Sequence, residues 1–99
     1  MSENEAASCR IDVWLWRARL VKTRGLGAQL AEAGRIRQTR GELVARLDKP
    51  AKTVRIGDVL TFAFSGRLTV VRVEALGERR GPPSEAQTLY TRLTDTPAS

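Results

Sequence analysis

The chain has 99 residues, the size of one small domain, and we therefore expect no second domain that carries catalysis. It has no histidine and one cysteine, Cys9, which excludes histidine-dependent catalytic triads, histidine zinc sites and an intrachain disulfide. The net charge of +6 is concentrated in residues 10–55, where 12 Lys and Arg accompany 4 Asp and Glu, and such a basic segment is typical of proteins that bind polyphosphates.

Two short amphipathic helices are predicted first. Residues 10–19 carry apolar side chains at helical spacing, namely Ile11, Trp14, Leu15 and Ala18. Thr23 offers an N-cap oxygen for a second helix over residues 24–33, and Gly34 is placed to end it. Gly27 lowers the helix propensity of the second segment but allows the two helices to approach closely.

A small, mostly antiparallel sheet is predicted after Gly34. The alternation of side chains and the turn residues between them predict extended segments at 35–39, 43–47, 54, 59–64 and 67–76. Ser84 begins a Ser-x-x-Gln capping box for a closing helix over residues 85–93. We expect an α+β domain over residues 10–93, with two N-terminal helices packed on the sheet and flexible tails at 1–9 and 94–99.

Several short motifs occur in this order. They are Arg10-Ile11-Asp12 with Leu15, Thr23-Arg24, Ala33-Gly34 and Val54-x-x-Gly57-Asp58. Over residues 10–62 the chain resembles the RNA-binding domain first recognised in ribosomal small-subunit protein S-four. The segments Trp14-Leu15-Trp16, Lys22-Thr23-Arg24 and 79–90 are similar to those of the bacterial ribosome-associated heat-shock protein fifteen family. That family usually has a compact Asn-Gly turn where this chain has a longer excursion from Thr39 to Pro50.

The resemblance implies a non-enzymatic factor that binds ribosomal RNA and transfer RNA. It implies binding to the free large ribosomal subunit carrying a stalled peptidyl-tRNA, and help in rescuing or recycling that complex. We expect a monomer that needs no cofactor or metal and binds DNA only secondarily. The N-terminus is acidic and the chain has no run of about 18 apolar residues, which indicates a cytoplasmic protein without a membrane segment.

The candidate RNA-binding residues are basic or polar side chains of the helices, the first strand and one loop: Arg10, Arg17, Lys22, Thr23, Arg24, Arg35, Arg37, Lys49 and Lys52. Arg24 also lies in the first turn of its helix, where free N–H groups favour a phosphate. Asp12 and Asp58 do not form a catalytic carboxylate pair, because each is explained by a helix start or a turn. We predict no catalytic residue.

Two other functions remain open at this point. One is an RNA-binding accessory module of an RNA-modifying enzyme, and the other is a protein-interaction domain with a basic face.

Trp16 also has two interpretations. Either the closing helix covers it through Leu89, Tyr90 or Leu93, or it is a stacking surface for a base or a contact for the ribosome.

Overall fold

A computed structural model describes residues 7–64 and 66–97 of the chain. Within these residues the fold is α+β, as predicted. In chain order the elements are β1 (Cys9–Arg10), α1 (Ile11–Arg17), α2 (Arg24–Glu32), β2 (Ile36–Arg40), β3 (Leu43–Leu47), β4 (Thr53–Val54), β5 (Val59–Phe64), β6 (Arg67–Val73), α3 (Pro83–Ala86), a 3-10 turn (Gln87–Leu89) and β7 (Tyr90–Pro97).

The main sheet has five strands in the order β3-β2-β5-β6-β7, and every neighbouring pair is antiparallel. β1 and β4 form a separate two-stranded ladder. One face of the main sheet and the apolar sides of α1 and α2 contribute to a single buried core. Its fully buried members include Ile11, Trp14, Leu15, Ile36, Leu60, Val71 and Val73. The opposite face carries polar side chains such as Arg37 and Arg72 together with apolar ones such as Val59 and Val70.

The predicted ends of α2 are confirmed. Thr23 Oγ1 accepts a hydrogen bond from the Leu26 N–H at 3.1 Å and caps the first turn. Gly34 has a φ of +69°, a left-handed conformation that glycine adopts without strain. Its N–H donates to the Ala31 carbonyl at 2.9 Å, which closes the last turn. The chain therefore reverses at Gly34 and enters β2.

The C-terminal segment differs from its prediction. A short helix is present near the expected place, but it begins at Pro83 and becomes a 3-10 turn that ends at Leu89. Ser84 is not its cap, since Pro82 occupies that position without a side-chain hydrogen bond. The second half of the predicted helix is instead β7, in which Tyr90 is paired with Val73 of β6. Pairing supplies partners for the backbone groups at the open edge of β6.

Two other boundaries also differ. Cys9 lies in β1, paired with Val54 and half-buried, rather than in a tail. β6 ends at Val73 instead of residue 76, because the N–H groups of Glu74 and Ala75 both donate to the Leu89 carbonyl. Within the described residues no helix is long and apolar enough to cross a bilayer.

Candidate RNA-binding surface

A buried carboxylate joins two arginines at the start of the helices. Asp12 is the second residue of α1, and its side chain is 5% exposed. Its Oδ1 and Oδ2 accept hydrogen bonds from Nε and Nη2 of Arg10 at 3.1 and 3.0 Å. Arg24 Nη2, from the first turn of α2, lies 4.0 Å from the same Oδ2. We call Arg10, Asp12 and Arg24 the helix cluster.

The cations of the helix cluster remain accessible. The side chain of Arg10 is 48% exposed and that of Arg24 is 53% exposed, although both lie beside the buried Asp12. A guanidinium has five N–H donors, so a contact with one carboxylate leaves donors for a second anion. The cluster therefore presents two oriented guanidiniums to solvent, which is the arrangement that recognises phosphate.

Close packing of the helices produces this arrangement. A Cβ on Gly27 would lie 3.2 Å from the carbonyl oxygen of Asp12 and 3.3 Å from its Cα. The backbone of α1 thus lies directly against Gly27, as the sequence predicts. This contact brings the first turn of α2, with Arg24, to the first turn of α1.

The loop before β4 lies beside the helix cluster. The carbonyl of Lys52 accepts a hydrogen bond from the Ile11 N–H at 2.7 Å, and the Pro50 carbonyl lies 3.5 Å from the Asp12 N–H. The side chains of Lys49 and Lys52 are exposed. These two candidate residues are therefore held near Arg10 by backbone contacts.

The remaining candidates lie elsewhere. Arg35 and Arg37 are exposed at the start of the first hairpin strand, and Arg37 alternates with the buried Ile36, so it lies on the sheet face away from the core. Lys22 is exposed in the loop before α2 and lines a groove with Arg19. The candidate residues are therefore divided between the helix side and the outer face of the sheet.

Arg17 has a different environment from the other candidates. Its Nη1 donates to the carbonyl oxygens of Gly77 at 2.8 Å and Leu76 at 3.4 Å, and lies 3.6 Å from Cys9 Sγ. Its Nε is buried without a hydrogen-bond partner among the described residues. Arg17 thus ties the end of α1 to the segment that follows β6.

The sequence did not identify the importance of Asp58. Its side chain is 2% exposed and accepts two hydrogen bonds from Arg40, at 2.8 and 2.9 Å, and one from Gln38. The hydrogen bond with Asp58 is the main cause that raises the pKa of Arg40. The Arg55 N–H also donates to this carboxylate at 2.9 Å, within the turn that the sequence predicts at Asp58. Arg40 is therefore engaged within the fold.

The described contacts of Trp16 include one that neither interpretation named. Trp16 packs, partly buried, against the core, and Arg80 lies over it: Arg80 Cζ is 5.7 Å from the Trp16 ring centroid, and Arg80 Nε donates to the Trp16 carbonyl at 3.1 Å. Tyr90 packs edge-on against Trp14, with 6.5 Å between ring centroids, and Leu93 is 45% exposed. The contact of Arg80 with Trp16 joins residues 64 positions apart, which helical periodicity does not reveal.

The described residues offer no arrangement typical of a metal centre. No group of three or more potential metal-ligating side chains occurs in residues 7–64 and 66–97. Burial raises the pKa of the Cys9 thiol, which keeps it protonated near neutral pH. The chemistry of this surface is that of arginine and lysine.

The chain is similar in sequence and in fold to several known proteins. No protein-family model matches the chain. It is 34% identical over 96 residues to Heat shock protein 15 of Escherichia coli K12, covering 97% of this chain and 68% of that protein. It is also 34% identical to the RQC P-site tRNA stabilizing factor of Bacillus subtilis, covering 87% of this chain and 93% of the relative. The trimeric structure of Vibrio cholerae Heat Shock Protein 15 aligns with a TM-score of 0.75 and 31% identity, covering 87% of this chain and 82% of that one.

Proposed function

Because this chain belongs to the heat shock protein 15 family, we propose that it is a ribosome-associated RNA-binding factor. It binds the large ribosomal subunit that carries a stalled peptidyl-tRNA and aids the rescue of that complex. Relatives named for stabilising P-site tRNA match 87% to 91% of the chain, which supports a transfer RNA as part of its ligand.

The helix cluster is the observation that carries the proposal. Arg10 and Arg24 come from different elements, yet one buried carboxylate accepts hydrogen bonds from Arg10 and lies 4.0 Å from Arg24 Nη2, with both guanidiniums at the surface. The exposed Lys49 and Lys52 lie on the adjoining loop. A-form RNA gives side chains little sequence to read in its deep groove, so recognition by phosphate geometry suits such a surface.

We assign RNA contacts to eight side chains: Arg10, Lys22, Thr23, Arg24, Arg35, Arg37, Lys49 and Lys52. Thr23 fits this set although it caps α2, because its oxygen accepts the Leu26 N–H while its hydroxyl hydrogen is still available to a phosphate. Arg17 was a candidate from the sequence, but we give it a supporting role because its Nη1 is engaged by backbone carbonyls.

The factor acts by binding ribosomal and transfer RNA, without a catalytic step or a cofactor, in the cytoplasm where ribosomes work. DNA is a weaker ligand, because contacts fitted to A-form geometry do not match the B-form duplex. We propose a monomer as the RNA-binding form. Sedimentation equilibrium of the free protein tests this point against the trimer described for the Vibrio cholerae relative.

The test is the binding of labelled transfer RNA at several salt concentrations. Neutralising five or six phosphates gives a slope of log K against log salt of about −4, and a slope near zero contradicts the proposal. Arg24→Ala is expected to weaken binding by about 1–3 kcal/mol with little change in thermal unfolding. Arg79→Ala is the control, since it removes the same charge from an exposed arginine that is already paired with Glu85 at 3.2 Å.

A second measurement examines the ribosomal role. The full chain is expected to sediment with free large subunits in a sucrose gradient of cell lysate, and Arg24→Ala is expected to move toward the top. A different result would assign the basic surface to a protein partner. In that case the factor sediments with subunits, but its affinity for purified transfer RNA and ribosomal RNA is no higher than its affinity for a mixture of acidic proteins.

A further inference from the structure

Two arginines face each other on the outer side of the first hairpin. Arg37 of β2 is directly opposite Arg46 of β3 in the antiparallel register. Cβ atoms of directly opposed residues are about 4.5–5.5 Å apart, and like charges in such a pair destabilise the sheet. Both side chains are exposed. The hairpin therefore contains a repulsion between two guanidiniums that does not help the hairpin to fold.

Gly34 places Arg46 beside a third arginine. A Cβ on Gly34 would lie 3.0 Å from Arg46 Cδ and 3.8 Å from Arg46 Nη1. The aliphatic part of Arg46 thus crosses the glycine, and its guanidinium lies next to the backbone that leads into Arg35. We call Arg35, Arg37 and Arg46 the sheet cluster.

The sheet cluster surrounds a shallow depression of about 310 Å³. Thr61 and Ala63 of β5 are among the small side chains that line it. The residues that line it include no Asp or Glu, and the three guanidiniums form no hydrogen bond or ion pair with the described part of the chain. An anion in this depression would meet three guanidiniums and no carboxylate among the residues that line it.

Another arginine on the same face of the sheet differs from the sheet cluster because it has an acidic partner. Arg72 lies two strands away, and its Nε donates to Glu74 Oε2 at 2.8 Å. The sequence thus supplies an acidic partner for an exposed arginine of β6, but none for the three cations around the depression.

A groove connects this depression with α2. It is lined by Leu26, Gln29 and Leu30 of the helix, and Arg35 belongs to both the groove and the depression. Arg35 thus lies where the groove meets the sheet cluster, and an open basic surface of this kind suits an extended nucleic-acid backbone better than a small isolated anion.

We propose that Arg35, Arg37 and Arg46 form a second phosphate-binding site that engages the RNA backbone on the outer face of the sheet. The inference rests on the proposed function and extends it to Arg46, which the sequence analysis did not include. Guanidinium donors match phosphate oxygens in pairs, and a bound phosphate replaces the repulsion between Arg37 and Arg46 with attraction to a shared anion.

The experiment compares Arg46→Ala, Arg37→Ala and the double variant with Arg72→Ala. All three single variants remove one positive charge from the same sheet face. We expect the Arg46 and Arg37 variants to bind labelled transfer RNA about tenfold more weakly, with a salt slope shallower by about 0.7–0.9 for each phosphate that the variant no longer neutralises. Arg72→Ala is expected to bind like the parent chain, because Glu74 already neutralises that arginine.

Thermal unfolding separates binding from folding. Removing one member of a repelling pair leaves the unfolding midpoint unchanged or raises it, so weaker binding by a chain at least as stable supports the site. A lower midpoint that accounts for the weaker binding makes Arg46 a structural residue and overturns the proposal.

Other outcomes show whether the second site or the proposed function itself is wrong. If Arg46→Ala and Arg37→Ala bind like the parent while Arg24→Ala does not, the second site is refuted and the proposed function stands. If Arg24→Ala also binds like the parent, the proposed function itself fails. Weaker binding to polyglutamate with unchanged binding to transfer RNA assigns the sheet cluster to an acidic protein and refutes the RNA site.

Discussion

At the scale of single residues, buried carboxylates determine where several arginines lie. Asp58 holds Arg40 within the fold, whereas Asp12 holds Arg10 and lies close to Arg24 at the surface. The sequence indicates that Asp12 is in a first helical turn, but not that an arginine from the next helix reaches it. That contact depends on how the helices pack, and Arg46 was missed for a similar reason, because its neighbours follow from strand register.

Asp12→Asn tests whether the orientation of the arginines affects RNA affinity more than the net charge of the protein does. The substitution raises the formal charge from +6 to +7, so simple attraction to RNA predicts tighter binding. We expect instead that transfer RNA binds about threefold to tenfold more weakly, because Arg10 loses its charged hydrogen-bond acceptor and Arg24 loses the anion that lies 4.0 Å from its Nη2. Fluorescence titration of folded protein at fixed salt measures the change.

The matched control is Glu32→Gln, which makes the same change in charge at an exposed position of α2. It is expected to bind equally well or slightly more tightly. In a chain that already lacks both arginines, Asp12→Asn is expected to cause no further weakening. Equal binding by the Asp12 and Glu32 variants would show that the carboxylate does not orient the cations.

At the scale of elements, local signals predicted the first two helices and the first hairpin well. Thr23 and Gly34 mark the ends of α2 through contacts within a few residues, and Gly41 marks the hairpin turn. β7 was missed because its strand conformation depends on pairing with β6, whose partner residues lie 17 (Val73 with Tyr90) to 30 (Arg67 with Pro97) positions earlier in the chain. The Ser-x-x-Gln pattern after Pro83 gave a local helix signal, and tertiary pairing limited that helix to Leu89.

The close contact between α1 and α2 leads to a prediction for the stability of a Gly27 variant. Gly27→Ala is expected to destabilise the domain by about 1–3 kcal/mol, because the added Cβ meets the backbone of Asp12 at 3.2 Å. This destabilisation exceeds the gain of about 1 kcal/mol in helix propensity. Urea unfolding measures the free energy of each variant.

Gly25→Ala is the control in the same helix. A Cβ at that position meets only Thr23 Oγ1, at 3.7 Å, so the change is expected to be neutral or to stabilise by up to about 1 kcal/mol. Equal free energies for the two variants would show that α1 and α2 do not meet closely at Gly27.

At the scale of the whole molecule, the C-terminal segment completes the core that the N-terminal helix begins. The indole N–H of Trp14 donates to the Ala75 carbonyl at 2.9 Å, and Tyr90 covers an edge of the same ring. Leu89 is 6% exposed and belongs to the core cluster. Contacts over such sequence separations make residues after Arg80 part of the domain and not an appendage.

The final prediction is therefore that truncation after Arg80 destabilises the chain by about 4 kcal/mol or more, since it removes Leu89 from the core together with the edge strand β7. Leu89→Ala alone is expected to cost about 2–4 kcal/mol, whereas Leu93→Ala, at a position 45% exposed, is expected to cost less than about 0.5 kcal/mol. Urea unfolding in a Trp16→Phe background lets the emission report Trp14, which should shift to the red on truncation. An unchanged midpoint and emission would place the segment outside the core.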